Sequence, residues 1–269
     1  MGYHIHMLYF SATGTTEKIV HRVAEKLNGE IGDSTVNRVD FTLPPEREKS
    51  CSFGENDLVI AGVPVYAGRV PNVLLKYIKS IRGNGALAAA IVLYGNRDYE
   101  DALIELRDLL SEDGFHVIAG GAFIGEHSFS RVLAKGRPDE KDLALADKFA
   151  DLISQKIEFG MTASVEVKGN TPYRSYYKPK DEQKNPVDIR KVKPKTKENC
   201  THCMTCVNVC PMGSISADDP SVLTGICIKC GACIKKCPVG AKYFDDPDFL
   251  RHKTEMEVGL TARKEPELF

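Results

Sequence analysis

Eight of the nine cysteines fall within residues 200–237, and they form one pattern twice. Cys200, Cys203, Cys206 and Cys210 precede Pro211; Cys227, Cys230, Cys233 and Cys237 precede Pro238. Each set reads C-x2-C-x2-C-x3-C-P, and the two are offset by 27 residues. A tight C-x2-C-x2-C loop reaches three corners of an iron–sulfur cubane. The fourth corner faces away and needs a ligand from elsewhere. In runs of this kind the first three cysteines hold one cluster and the fourth ligates the other. The expected sets are therefore Cys200, Cys203, Cys206 and Cys237 for cluster I, and Cys227, Cys230, Cys233 and Cys210 for cluster II. Two 4Fe–4S clusters imply one-electron transfer. Structural zinc would show separated ligand pairs. Disulfides suit an exported chain, and the opening MGYHIHMLYF has neither a charged leader nor an unbroken apolar run.

The remaining composition leaves room for a sizeable globular partner. The 269 residues are 42% hydrophobic and 27% charged, ordinary for a soluble protein. No stretch approaches the ~18 apolar residues of a membrane span. The net charge of −1 points away from nucleic acid. These features, with the clusters, give an expected cytoplasmic location without membrane or nucleic-acid partners. Charge is unevenly spread, at −5 for residues 1–160, +5 for 161–199 and −1 for 200–269. The basic middle reads as a solvated linker, or as a strap that lies on an acidic surface.

Residues 1–160 alternate apolar runs with amphipathic ones. Strands are expected at Tyr3–Phe10, Thr35–Phe41, Asp57–Val63, Leu87–Tyr94 and Phe115–Ile124. Helices are expected at Thr15–Leu27, Asn72–Ile81, Tyr99–Leu110 and Asp139–Ile157. Continuous apolar strands alternating with helices indicate an α/β fold with a parallel sheet covered on both faces. Five strands suit a doubly wound sheet of order 2-1-3-4-5.

In such sheets ligands bind beyond the strand C-termini. Three loops lie there. Ser11-Ala12-Thr13-Gly14-Thr15-Thr16 joins the first strand to the first helix. Backbone N–H groups and the helix dipole at that point favour an anion. The loop offers hydroxyls and a glycine but no lysine, which suits a terminal monophosphate such as that of FMN. The competing reading is an ordinary Ser/Thr helix cap. Pro64-Val65-Tyr66-Ala67-Gly68-Arg69 follows the third strand, and Tyr94-Gly95-Asn96-Arg97-Asp98-Tyr99 closes the fourth. Both are candidates to contact an isoalloxazine. With no tryptophan in the chain, Tyr66 and Tyr99 are the candidate stackers, and Tyr94 is assigned to the strand end. Arg69 or Arg97 is a candidate to stabilise charge on reduced flavin, against a surface role for either.

The loop Ser11–Thr16 resembles the flavodoxin phosphate fingerprint, and the cysteine array resembles a bacterial-type two-cluster ferredoxin. Their order resembles the flavodoxin–ferredoxin fusion proteins of anaerobes. Gly125-Glu126-His127-Ser128-Phe129-Ser130 and Gly136-Arg137-Pro138-Asp139 are also similar to that family. The resemblance covers nearly the whole chain. It implies a flavodoxin-like doubly wound five-stranded domain over 1–160, a basic connector over 161–197, a small α+β ferredoxin-like domain over 198–246 and a tail over 247–269. The missing tryptophan departs from ordinary flavodoxins.

His127 is read either as a proton donor at the flavin–cluster junction or as a loop histidine bonding the backbone. Cys51 is given no role. The connector, with four prolines and Tyr173, Tyr176 and Tyr177, is expected to pack along the first domain. The ferredoxin-like module is too small for much core of its own, so its clusters should hold it together. The tail is open between a short helix and a mobile end. The expected function is electron transfer between two 4Fe–4S clusters and FMN, with ferredoxins or flavoprotein oxidoreductases as partners. An FMN-dependent reductase of a quinone, a flavin or O₂, fed by ferredoxin or NAD(P)H, is the second reading, and a redox sensor the third. No dinucleotide fingerprint is present.

Overall fold

The computed structural model describes residues 2–32 and 36–269. Strand β1 (His4–Tyr9) leads into helix α1 (Thr15–Ile31), then β2 (Asn37–Asp40), β3 (Asp57–Pro64), the one-turn helix α2 (Leu75–Ile78), β4 (Leu87–Tyr94), α3 (Ala102–Glu112), β5 (His116–Ile124) and α4 (Glu140–Glu158). The sheet order is β2-β1-β3-β4-β5, with every neighbouring pair parallel. This is the expected α/β doubly wound arrangement. Thr35, the first residue expected in the second strand, lies outside the described residues.

The strands form because they are apolar on both faces, and the structure buries both. Every residue of β4 is buried. One face packs on α1 and α4 through Ile19, Val23, Phe149 and Ile153; the other packs on α2 and α3 through Leu74, Ile78, Leu103 and Leu106. Helix α4 starts on a capping box. Asp139 accepts from the Asp142 N–H, and Asp142 accepts from the Asp139 N–H. The helix expected over 72–81 is shorter than its pattern. It opens as a 3-10 turn at Asn72–Leu74. It ends with i+3 bonds from Ser80 to Tyr77 and from Ile81 to Ile78, just before Gly83 and Gly85.

Two segments distant in sequence return to this domain. The connector runs along α3 and the loop after β3. Buried Asp101 accepts from the Asn170 N–H (3.0 Å), the Asn170 amide (2.8 Å) and the Arg174 N–H (2.6 Å). Tyr173 donates to Asp108, and Tyr176 donates to the Val70 carbonyl. The connector is thus held on acidic residues by backbone N–H groups and tyrosines, more than by its lysines. The tail forms α7 (Pro247–Gly259) and then β8 (Glu267–Leu268), which pairs antiparallel with β5 and adds a sixth strand. Neither a lone helix nor a mobile end describes it.

Residues 195–246 fold as two short helices, α5 (Thr205–Asn208) and α6 (Ala232–Lys235), and a two-stranded ribbon of β6 (Lys195–Thr196) and β7 (Lys242–Tyr243). No helix among the described residues is long and apolar enough to cross a membrane.

Removing the buried Asp101 carboxylate takes away the shared acceptor of three connector donors, the Asn170 N–H, the Asn170 amide and the Arg174 N–H. Asp101→Ala should destabilise the protein by about 3 kcal/mol. Denaturant melts of the variant, with limited proteolysis mapping cleavage to 165–180, would measure this; unchanged stability and no new cleavage would contradict it.

Candidate functional site

The two cysteine repeats fold alike, position by position. In the first, His202 and Met204 have positive φ (51° and 62°), and α5 follows. In the second, Lys229 and Gly231 have positive φ (56° and 75°), and α6 follows. Each pair differs by the 27-residue offset. The fourth cysteines match as well. The Ser214 N–H donates to Cys210 Sγ at 3.3 Å, and the Ala241 N–H donates to Cys237 Sγ at 3.2 Å. Such N–H to sulfur bonds stabilise ligating thiolates and tune cluster potential.

Two cavities result, and each is lined by four cysteines. One is lined by Cys200, Cys203, Cys206 and Cys237 with Pro220 and Val239. The other is lined by Cys227, Cys230, Cys233 and Cys210 with apolar Ile215, Leu223, Ile228 and Phe244. Each holds three cysteines of one repeat and the last cysteine of the other. No three His, Cys, Asp or Glu side chains among the described residues gather as they would around a single metal ion. Four cysteines lining one cavity, three from one repeat and one from the other, match the ligand set of a cubane. The cages differ in setting. Cys203 is exposed, whereas Cys230 is buried. Burial pushes the Cys230 thiol up to about 12, so a thiolate there depends on bound cations.

At the sheet edge, Ser11–Thr16 lies between β1 and α1. The N-cap position of α1 is Gly14, in a left-handed conformation (φ 90°) and with no side-chain cap. The residue at the cap position is thus neither Ser nor Thr. The Ser11 hydroxyl accepts from the Glu17 N–H, and the Ser11 N–H donates to Thr42. No acceptor among the described residues takes the N–H groups of Thr13, Gly14, Thr15 and Thr16. Four free N–H groups at the start of a 17-residue helix fit a phosphate monoester. The nearby Lys18 ammonium turns away, donating to the Pro138 carbonyl.

The other two loops reach the same edge. Tyr66 and Arg69 close a tight turn through two backbone hydrogen bonds, with Ala67 and Gly68 at positive φ. Pro64, Val65 and Tyr66 are partly exposed. Tyr94 and Tyr99 are instead buried against each other, with ring centroids 5.5 Å apart.

Several side chains expected to face flavin are committed elsewhere. Arg69 pairs through two nitrogens with Glu105 and lies between the Tyr173 and Tyr176 rings, 4.8 and 5.0 Å from their centroids. Arg97 lies 4.2 Å over Tyr177 and pairs with Glu100. Both arginines are thus taken by carboxylates and connector tyrosines; of these partners only Glu100, three residues from Arg97, is near in sequence. Asn96 is buried. Its amide donates to the Leu260 and Ala262 carbonyls, and its oxygen accepts from the Lys264 N–H. Asp98 accepts from the Glu100 N–H in a local turn. Gly95 lies under the His127 ring, which a Cβ would meet at 2.3 Å.

His127 bonds the backbone. Its Nδ1 accepts from the Phe129 N–H, which places the proton of the neutral ring on Nε2. Burial, then the Lys235 ammonium, hold it well below the usual imidazole range. Both the shift and the Phe129 N–H bond favour the neutral ring and the reading of a loop histidine bonding the backbone. The neighbours of His127, marked in the sequence only by resemblance, form the contact between the two halves. Lys235 donates to Glu126 (2.6 Å) and to the His127 carbonyl (2.8 Å). Arg131 donates to the Ile234 carbonyl, and Arg47 to the Pro211 carbonyl. A Cβ on Gly231 would meet the Ser128 carbonyl oxygen at 2.4 Å. The alternation of charge at Glu126 and Lys235 was visible in the sequence, but nothing there paired them.

With the geometry in view, the comparisons are specific. A flavodoxin domain model matches residues 6–120, and a 4Fe-4S dicluster domain model matches residues 199–241. The chain is a flavodoxin–ferredoxin fusion. Its flavodoxin domain implies FMN, and its dicluster domain implies iron–sulfur clusters, so it is an iron–sulfur flavoprotein of electron transport. Among solved structures, a flavodoxin from the domain Archaea is 17% identical and covers 57% of this chain and 98% of its own, at a TM-score of 0.41. Flavodoxin 2 of Bacillus cereus is 18% identical and covers 57% and 99%, at 0.42. The rubredoxin oxygen:oxidoreductase of Desulfovibrio gigas is 20% identical and covers 59% and 37%, at 0.38. No protein of curated function matches the fusion.

The flavodoxin–dicluster contact should be acid-sensitive. Burial raises the Glu126 pKa, but the Lys235 ammonium and the Gly136 N–H outweigh it, and the net direction is down. A depressed carboxylate stabilises the folded state above its ordinary pKa of 4.5 and loses that contribution as pH falls through the folded value. Glu126→Gln should therefore flatten the stability–pH curve below about pH 5, measured by thermal melts across pH. An acid limb identical to that of the parent would contradict this.

Proposed function

We propose that the protein carries electrons between other redox proteins and its own flavin, with the two cysteine cages as intermediate stations. FMN takes up one or two electrons and each cluster passes one, so the assembled protein would interconvert one- and two-electron transfer. The observation that carries this reading is the continuity of the core. Cys230 and Ala232 of the dicluster domain belong to the same apolar cluster as Leu8, Val63 and Tyr94 of the flavodoxin domain.

Each group of residues has a part. Cys200, Cys203, Cys206 and Cys237 hold cluster I; Cys227, Cys230, Cys233 and Cys210 hold cluster II. The N–H groups of Thr13–Thr16 hold the phosphate, and the hydroxyls of Thr13 and Thr15 add donors. The loop Pro64–Arg69 forms one wall of the flavin crevice, with the partly buried Tyr66 its aromatic. Tyr94 and Tyr99 support that wall from the core. The backbone of Gly95–Asp98 forms the opposite wall, held in place by the tail through Asn96. His127 fills the space above Gly95 and excludes water. Segments 161–197 and 247–269 act as straps that fasten 198–246 to 1–160.

A carrier, rather than a reductase of small molecules, follows from what stands over the strand ends. The dicluster domain contacts the loops after β2 and β5, through Pro211 on Arg47 and through Gly231 and Lys235 on Glu126–Ser128. This sets a one-electron module directly against the loops that bound the crevice, which supports a carrier.

Anaerobic purification followed by flavin, iron and sulfide analysis tests the assignment. About eight irons, eight sulfides and one FMN per chain are expected from two cubanes and one flavodoxin site. Zinc in place of iron, or no flavin, would overturn it. Stopped-flow reduction should be rapid with a reduced ferredoxin and at least tenfold slower with NADH or NADPH; fast NAD(P)H turnover with a small acceptor would favour the reductase instead.

A further inference from the structure

Resting on the electron-carrier reading, we propose that the cage of Cys210, Cys227, Cys230 and Cys233 is the inner station, facing the flavin crevice, that the cage of Cys200, Cys203, Cys206 and Cys237 is the outer station, facing external partners, and that Tyr66 is the positioning residue packed between the inner cage and the crevice. The cysteine pattern is symmetric and cannot distinguish the two cages. The symmetry is broken by what each cage touches.

Every hydrogen bond between residues 198–246 and residues 1–160, among the described residues, comes from the inner half. The groups are the Pro211 carbonyl, the Ile234 carbonyl and the Lys235 ammonium. Gly213 lies beside Pro44, and Gly231 lies against the Ser128 carbonyl. At this position of the repeat the outer loop has Met204, and the inner loop has glycine. A left-handed residue is needed at both, but only the inner one meets backbone so closely that a Cβ cannot fit. Val209, Ile228, Val65 and Tyr66 pack on the same apolar core as Cys230. The outer cage makes none of these contacts, and Cys203 is exposed.

Tyr66 is the aromatic of the crevice wall that reaches the cage. It is half-buried, and its phenol lies within electrostatic reach of Cys230 and Cys227. A packed ring there excludes water from between the cage and the crevice, which keeps the local dielectric low. Solvent exposure is one of the terms that set a cluster's potential. An electron entering from a reduced partner protein would reduce the outer cluster by one, pass to the inner cluster as the outer is reoxidised, and leave for the flavin as the inner is reoxidised. Each transfer moves one electron and breaks no bond.

The test is an EPR-monitored redox titration of the anaerobic holoprotein, with Cys203→Ser and Cys233→Ser used to mark the signal of each cluster. Reversible removal of FMN should change the spectrum and midpoint potential of the cluster marked by Cys233→Ser and leave the other unchanged. Tyr66→Ala should shift the potential of that same cluster alone, and Tyr66→Phe should restore it. The Tyr66 pair keeps every ligand, so the outcome does not depend on the cysteine variants assembling normally. A response confined to the cluster marked by Cys203→Ser, or an equal response of both, overturns the proposed order. A Tyr66→Phe variant that behaves like Tyr66→Ala overturns the role of the ring. Absence of FMN or of eight irons overturns the carrier reading itself, a result distinct from full occupancy with the wrong cluster responding.

Discussion

The packing of Cys230 and Ala232 into the core of the flavodoxin domain is the constraint on which the rest of the structure depends. A module of about 50 residues buries too little apolar surface to stand alone. Here it borrows a core. Its inner cage rests on the far face of the sheet's own apolar cluster, and Gly231 permits an approach that any side chain would prevent. The polar contacts from Lys235, Arg131 and Arg47 then fix the orientation. The position of one cysteine cage relative to the flavin loops therefore follows from how the module stays folded.

The straps serve the same end. The connector and tail both leave the dicluster module and return to residues 64–101, where Asp101 and Asn96 receive them. Each is a single buried side chain that satisfies three backbone or amide groups from a distant segment. At the other edge, buried Arg137 pairs with Asp142 and donates to the Lys264 carbonyl, and Arg263 reaches Asp139. Buried polar groups of this kind specify one arrangement because any other leaves them unpaired. With both ends of the module tied down, the tail completes the sheet through β8.

Much of this was legible in the sequence because it is written in local pattern. Continuous apolar runs marked β1, β3, β4 and β5 within a residue or two, and the helix expected over Asp139–Ile157 matches α4 to within a residue at each end. The 27-residue offset implied the two mixed sets of cysteines that line the two cavities. What was not legible depends on contacts between segments far apart in the chain. Strand β8 is two residues long and carries no periodicity. Arg69 was open between a flavin and a surface role because its partners, Glu105, Tyr173 and Tyr176, lie at least 36 residues away in sequence; Arg97 pairs locally with Glu100, but Tyr177 over it lies 80 residues on. Tyr66 and Tyr99 are equivalent as letters; only the fold buries one against Tyr94 and leaves the other on the crevice wall. His127 looks like a titrating residue until its Nδ1 is seen to accept a backbone N–H.

Anomalous diffraction at the iron edge, from anaerobic crystals of the holoprotein, tests the central claim most directly. The account predicts two compact iron peaks, one inside each four-cysteine cavity, with the peak bounded by Cys210, Cys227, Cys230 and Cys233 lying closer to the flavin ring. A single-ion peak in either cavity, or a flavin ring closer to the peak bounded by Cys200, Cys203, Cys206 and Cys237, would contradict it.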